Sequence, residues 1–423
     1  MTPVDTTAVL EGTPVERLMA KGRRRATLAM LGPAFVASVA YVDPGNFATN
    51  ISAGAKFGYL LVWVIVGANL MAMLIQYLSA KLGIVTGRDL PENFREHYPR
   101  RLSWGMWVQA ELISMSTDVA EFLGAALGLN LLFGVPLLPA GLITGVVALA
   151  ILELQRHGYR RFELAITALL GLIFLGFLYQ ALKIGPSAPA TIHGLVPHLA
   201  GNESLYLAVG IIGATVMPHA IYLHSALTNR RVPAHTDSER RRVLRFERVD
   251  VAIALGIAGL VNLTMLVVAA KLFHGHGLTG VDTIQGAHKG FENLVGGGAA
   301  LAFAASLLAS GVSSSSVGTF AGQVVMAGFI NLRIPLLVRR VVTMAPALII
   351  LAIGVSPTSA LVLSQVVLSF GIPFALIPLV ILTSRRDVMG AHVNSSLTTA
   401  LAWGMAGLIS ALNVFLLAQT FGL

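Results

Sequence analysis

Residues 41–50 read YVDPGNFATN and residues 214–219 read ATVMPH. Each stretch lies inside an apolar run long enough to be a helix. Asp43, Pro44, Gly45 and Asn46 set a carboxylate, a helix breaker, a flexible residue and an amide in a row. Met217, Pro218 and His219 set a thioether beside a second breaker. Proline deletes a backbone donor and clashes with the turn before it, and glycine admits the dihedrals of an unwound stretch. Both stretches therefore predict interrupted helices, with carbonyls around Ala40 and Ala214 released from the helical ladder. A carboxylate, an amide oxygen and carbonyls are hard ligands that suit Mn²⁺, Mg²⁺ or Ca²⁺. A thioether is soft, and Met217 tilts such a set toward Mn²⁺, Fe²⁺, Co²⁺ and Cd²⁺. The C-terminal end of each first half-helix adds partial negative charge, which favours a cation.

The rest of the chain must hold these groups in lipid. Of 423 residues, 55% are hydrophobic and 12% charged, about half the charged share of a soluble domain. Repeated apolar runs of about 20 residues fit a bilayer. The expected fold class is an all-α polytopic membrane protein. Eleven spans are expected at about 27–54 (interrupted), 58–82, 104–132, 137–154, 162–183, 203–229 (interrupted), 247–272, 298–329, 336–354, 358–383 and 397–421. With the N-terminus in the cytoplasm, only Lys56, Lys183, Lys271 and Lys289 of the 29 lysines and arginines fall outside, as the positive-inside rule requires. Residues 1–26 then form a cytoplasmic tail with no signal peptide, and 27–423 the transmembrane domain. The segment DTIQGAHKGFENL reads as a short surface helix in an outside loop. The interrupted spans 1 and 6 are five spans apart, so they belong to two inverted halves, 27–183 and 203–383, with 397–421 an additional helix. Broken helices at matched positions of inverted halves point to a transport site.

A second set of residues can move protons. Glu111, Asp118 and Glu121 lie at i, i+7 and i+10 of span 3, on one stripe. They line a polar route or form a static ion-pair network. Arg339 and Arg340 are their candidate partners, or else anchor span 9 on the inside. His219 titrates in a useful range; His224 lies five residues on, about 500° round the helix, and either gates or packs. Gln365 either reaches the ion or bonds a neighbouring helix. Asn262 either bonds the broken span 1 as a gate or serves packing. Ser313–Ser316 suit close helix packing.

DPGN in the first span with MPH in the sixth resembles the Nramp family of proton-coupled divalent metal transporters, in particular its bacterial members. The resemblance covers the chain from about residue 27 onward. It implies a LeuT-like fold of five plus five inverted helices with an eleventh appended. It implies a secondary active importer that works by alternating access, takes Mn²⁺ and Fe²⁺, accepts Cd²⁺ and Co²⁺, and is coupled to protons. Carried over position by position, Asp43, Asn46 and Met217 match metal-coordinating side chains, and Ala40 and Ala214 match carbonyl donors. The resemblance also places His219 and a basic residue of the Arg339–Arg340 pair in proton movement. Relatives that carry Mg²⁺ or aluminium lack the methionine.

Other readings are narrower. A cation-coupled amine or amino-acid symporter of the same fold is the alternative, although Asp43 would repel an organic carboxylate. An enzyme is not expected: the chain has no cysteine, no HExxH, and only TGVD at 279–282 where an intramembrane aspartyl protease needs GxGD. The net charge of +9 follows the alternating loops, so nucleic acid is not an expected partner. The expected partners are divalent metal ions, protons and membrane lipid, with no cofactor, and the chain is expected to be a monomer in the cell (inner) membrane.

Overall fold

The computed structural model describes residues 31–153, 159–229, 231–281, 283–332 and 334–420; the tail expected at 1–26 lies outside them. Lipid offers no water to backbone N–H and C=O groups, so a spanning chain satisfies them within helices. The regular structure among the described residues is all helical, with no strand.

The first expected span is two pieces. Helix α1 (Pro33–Val39) runs into a 3₁₀ turn at Ala40–Val42, and α2 (Pro44–Phe57) resumes after Asp43. Next come α3 (Val62–Thr86), the short α4 (Leu90–His97), α5 (Arg100–Phe133), α6 (Leu137–Glu153), α7 (Tyr159–Ile184) and the short α8 (Ala188–His193). The sixth expected span is also two pieces, α9 (Asn202–Thr215) and α10 (Pro218–Thr228). Then follow α11 (Asp237–Leu272), α12 (Ile284–Leu294), α13 (Gly297–Ile330), α14 (Leu336–Ala352), α15 (Pro357–Ser384), the one-turn α16 (Arg386–Met389) and α17 (Ser396–Thr420). Among the described residues, eight helices are long and apolar enough to cross a membrane; in that tally 202–228 counts as one, and Pro33–Val42 and Leu137–Ile151 are shorter apolar pieces. Helix α14 has only 17 residues. The expected loop helix is α12, which buries Ile284, Ala287 and Phe291 against the bundle.

Burial grades the helices by position. Of the apolar window in 202–228, 94% is buried, against 28% in Ser396–Ala418, so the broken helix lies at the centre and α17 at the lipid-facing edge. Helix α13 packs most extensively along α5. Small residues permit this: a Cβ on Gly128 would sit 2.8 Å from Leu308, and one on Gly311 would meet Ala125. The same device seats α2 on α5, where Gly124 lies against Pro44.

Candidate functional site

Both breaks share one local cause. In an α-helix the carbonyl of residue i accepts from the N–H of i+4, and here residue i+4 is proline for Ala40 (Pro44) and for Ala214 (Pro218). Neither carbonyl can find its helical partner. After Ala40 the chain tightens into the 3₁₀ turn, then Asp43 turns extended (φ −78°, ψ 168°) and caps α2 through its side chain. After Ala214 the chain opens at Val216 and Met217, the latter extended (φ −80°, ψ 124°), before α10 begins. The proline of each break then occupies the first turn of the next helix, where its missing donor costs nothing.

The two breaks meet. Asp43 Oδ1 accepts from the Asn46 backbone N–H at 2.8 Å and from Asn46 Nδ2 at 2.8 Å. The same Nδ2 donates to the Ala214 carbonyl at 3.0 Å. Gln365 Nε2, from α15, donates to Asp43 Oδ2 at 3.3 Å; Gly45 permits this, because a Cβ there would collide with the Gln365 amide. Asp43, Asn46, Ala214 and Gln365 thus form one hydrogen-bonded cluster. Met217 heads α10 three residues beyond Ala214, and its side chain is fully buried, as are those of Asp43, Asn46 and Gln365. Among the described residues no lysine, arginine or histidine pairs with Asp43. The amide oxygens of Asn46 and Gln365 have no hydrogen-bond partner among the described residues. Nor, among those residues, is there any group of three or more histidines and carboxylates, so an ion held here rests on one carboxylate with amides, carbonyls and sulfur.

Other carbonyls released at the first break are taken by neighbours. Asn262 Nδ2 donates to Tyr41 O at 2.7 Å while its Oδ1 accepts from Asn50 Nδ2 at 3.0 Å. Ser310 Oγ donates to Val42 O at 2.6 Å. Asn262 therefore does bind the broken helix.

The stripe on α5 faces α14. Arg340 Nη1 donates to Asp118 Oδ1 at 3.0 Å and to Thr319 Oγ1 at 3.0 Å, and its Nη2 to Ser315 Oγ. Arg339 pairs with Glu111 at 2.8 Å. Glu121 differs: it is fully buried beside Gly318, and neither oxygen has a hydrogen-bond partner among the described residues. Arg339 also lines a cavity of about 470 Å³ with Asp89, Glu92, Gln323 and Pro335. Of the serine patch, Ser315 holds Arg340 and Ser316 bonds the Ala148 carbonyl at 3.2 Å.

The two histidines have separate neighbours. His219 Nδ1 lies 3.3 Å from Thr117 Oγ1, next to Asp118 in sequence, and its Nε2 has no partner among the described residues. His224 joins a chain that sequence reasoning overlooked: Gln76 Nε2 donates to the Tyr41 hydroxyl, Gln76 Oε1 lies 2.8 Å from His224 Nδ1, and His224 Nε2 lies 2.9 Å from Glu247 Oε1. Asp250, one helical turn on, accepts from Gly32 N at 3.2 Å and Ala34 N at 3.0 Å. It thereby tethers the start of α1. A signal for it was present, since an acid inside an apolar span is costly and seldom idle.

A bundle whose first and sixth apolar stretches break and face each other is an architecture of membrane transporters. Solved structures that share it differ widely in sequence identity to this chain. With about 14% identity, a nucleobase-cation-symport-1 transporter, Mhp1, aligns over 91% of this chain and 90% of its own at a TM-score of 0.57, which shows the fold alone. A manganese transporter of Eremococcus coleocola, solved as a point mutant, aligns over 94% of this chain and 89% of its own, at a TM-score of 0.85 and 33% identity. The family model "Natural resistance-associated macrophage protein-like" matches residues 34–419. The chain is similar to the divalent metal cation transporters MntH of Bacillus subtilis, 55% identical over 94% of this chain and 93% of that one, and of Deinococcus radiodurans, 52% identical over 98% and 94%. The chain belongs to the Nramp family. It is a multi-pass protein of the cell membrane.

Proposed function

We propose that this chain imports divalent transition-metal ions, chiefly Mn²⁺ and Fe²⁺ and also Cd²⁺ and Co²⁺, by alternating access coupled to protons. The reading includes eleven spans in a LeuT-like five-plus-five inverted repeat, with the N-terminus inside. The observation that carries it is the cluster at the two breaks. The NH₂ group of Asn46 sits between Asp43 Oδ1 and the Ala214 carbonyl, two oxygens that would hold a cation and that no cationic side chain among the described residues meets. An arriving M²⁺ takes that place. The amide then turns its oxygen inward, and so does Gln365, whose oxygen is likewise unpartnered. Ala40 adds a carbonyl from the other half-helix, and Met217 adds the sulfur that disfavours Ca²⁺ and Mg²⁺. Relatives named as divalent metal cation transporters, at 52% and 55% identity over nearly the full chain, support the same substrate class.

For the proton, Asp43 serves both substrates: metal arrival disfavours its protonated form. The proton then passes by His219, Asp118 and Glu121 toward Arg340, Glu111 and Arg339. The cavity beside Arg339 supports an exit at that end of the bundle, which the positive-inside rule makes cytoplasmic. Inward metal movement is already favoured by about 2.3 kcal/mol per charge per 100 mV, so the proton step serves direction and selectivity. Asn262 and His224 act as gates because both bind the Tyr41 end of the first half-helix, His224 through Gln76.

The test is Mn²⁺ uptake into proteoliposomes with Ca²⁺ as competitor. Met217→Ala is expected to retain uptake but to lose discrimination against Ca²⁺. Selectivity equal to that of the unaltered protein would remove the thioether from the ligand set.

A further inference from the structure

A second charged site lies away from the two breaks. On α11, Arg241, Arg245 and Arg248 follow one another at i, i+4 and i+7 and so share one face. That face looks across to the end of α3, where Tyr77 and Lys81 stand, and to His392 in the turn after α16. Together these residues line a cavity of about 290 Å³ with Leu244 and Val393, and no carboxylate is among them. Arg248 lies over the Tyr77 ring, 5.0 Å from its centroid.

Lys81 sets this cavity apart from an ordinary basic membrane edge. The residue is only 7% exposed. Its ammonium donates to Asn394 Oδ1 at 2.8 Å and, among the described residues, pairs with no acid. Neither Arg241, Arg245 nor Arg248 forms an ion pair among the described residues. The acids nearby are engaged: Asp237 with Arg240 and His392, Glu247 with His224. A buried cation without a counter-charge is strongly unfavourable. Here it stands at the wall of a cavity ringed by guanidinium groups, whose planar forks match phosphate oxygens.

The geometry points to an anion site in this cavity that binds a phosphate group, with Lys81 as the inner charge and Arg241 and Arg245 as the outer clamp. Two sources share that chemistry, the headgroup of an acidic phospholipid and a free phosphate.

The test uses the full chain. For the lipid source, detergent-solubilised protein is offered equal phosphatidylglycerol and phosphatidylcholine, and retained lipid is read by native mass spectrometry. For the soluble source, thermal unfolding is followed with millimolar inorganic phosphate. The expected result is a preference for phosphatidylglycerol or a phosphate-dependent rise in melting temperature, the arm that responds naming the source. Arg241→Gln with Arg245→Gln, both exposed, should weaken that response by about tenfold, which corresponds to about 1.4 kcal/mol. Lys81→Met should weaken it further. Arg385→Gln with Arg386→Gln, outside the cavity, should leave it unchanged. Absence of both responses in the unaltered protein overturns the proposal, as does an equal loss in the Arg385/Arg386 variant or none in the Arg241/Arg245 variant.

Discussion

Asp43 and Asp118 are both carboxylates buried among helices, and they are satisfied in opposite ways. Asp118 has a permanent counter-ion: Arg340 reaches it at 3.0 Å and is itself held by Thr319 and Ser315. Asp43 has only amide donors, from Asn46 and Gln365, and no cation. The difference separates a charge that is balanced in place from one that the proposed function leaves to a mobile partner. Glu121, fully buried and without an arginine ion pair among the described residues, is the third acid of this region and the one the proposed proton route adds between the two.

This contrast is most exposed to test at Asp43. Asp43→Ala is expected to bring Mn²⁺ uptake to background, whereas Asp118→Asn should keep uptake while losing metal-stimulated proton entry. Equal loss of metal uptake in both variants would erase the distinction between the two carboxylates. The next effect concerns stability. Arg340→Met leaves the Asp118 carboxylate buried alone, which costs about 3–5 kcal/mol. A marked fall in melting temperature follows, and pairing the change with Asp118→Leu should recover most of it, read by thermal unfolding in detergent. A smaller effect is expected from Gln365→Ala. The variant removes one candidate oxygen ligand while the others remain, and a single contact of this kind is worth about 1 kcal/mol, so KM for Mn²⁺ should rise only a few-fold. An unchanged KM would confine Gln365 to a helix contact. Smallest for transport is Ser310→Ala, which frees the Val42 carbonyl from a 2.6 Å bond. It should lower stability by about 1–3 kcal/mol with metal selectivity intact, and a shift in Ca²⁺ competition would instead bring Ser310 into the site.

The breaks were legible because a proline beside a glycine or a histidine inside an apolar run does little there except interrupt the helix. A candidate ligand set followed from residue type, and Arg339 and Arg340 stood as candidate partners of the α5 stripe, pairs that the structure forms with Glu111 and Asp118. Several contributors were not legible. Ser310 and Gln76 are single polar residues in long apolar helices, with no periodic or motif signal, and only the crossing of helices shows which carbonyl or hydroxyl each meets. In the sequence Lys81 is one more charge at a helix end; its burial beside the α11 arginines is visible only in the structure. Asp250 could have been read from the sequence, since it is an acid within a span. Span limits were the weakest part: α6 and α14 are each 17 residues long, near the lower limit for crossing a bilayer, because packing and tilt decide such lengths as much as composition does.

The most direct measurement is an anomalous difference map from Mn²⁺-soaked crystals of the unaltered protein. One strong peak is expected, enclosed by Asp43, Asn46, the Ala214 carbonyl and the Met217 sulfur. A peak that touches neither break, for instance one beside Asp118 and Glu121, would contradict a metal site built from the two broken helices.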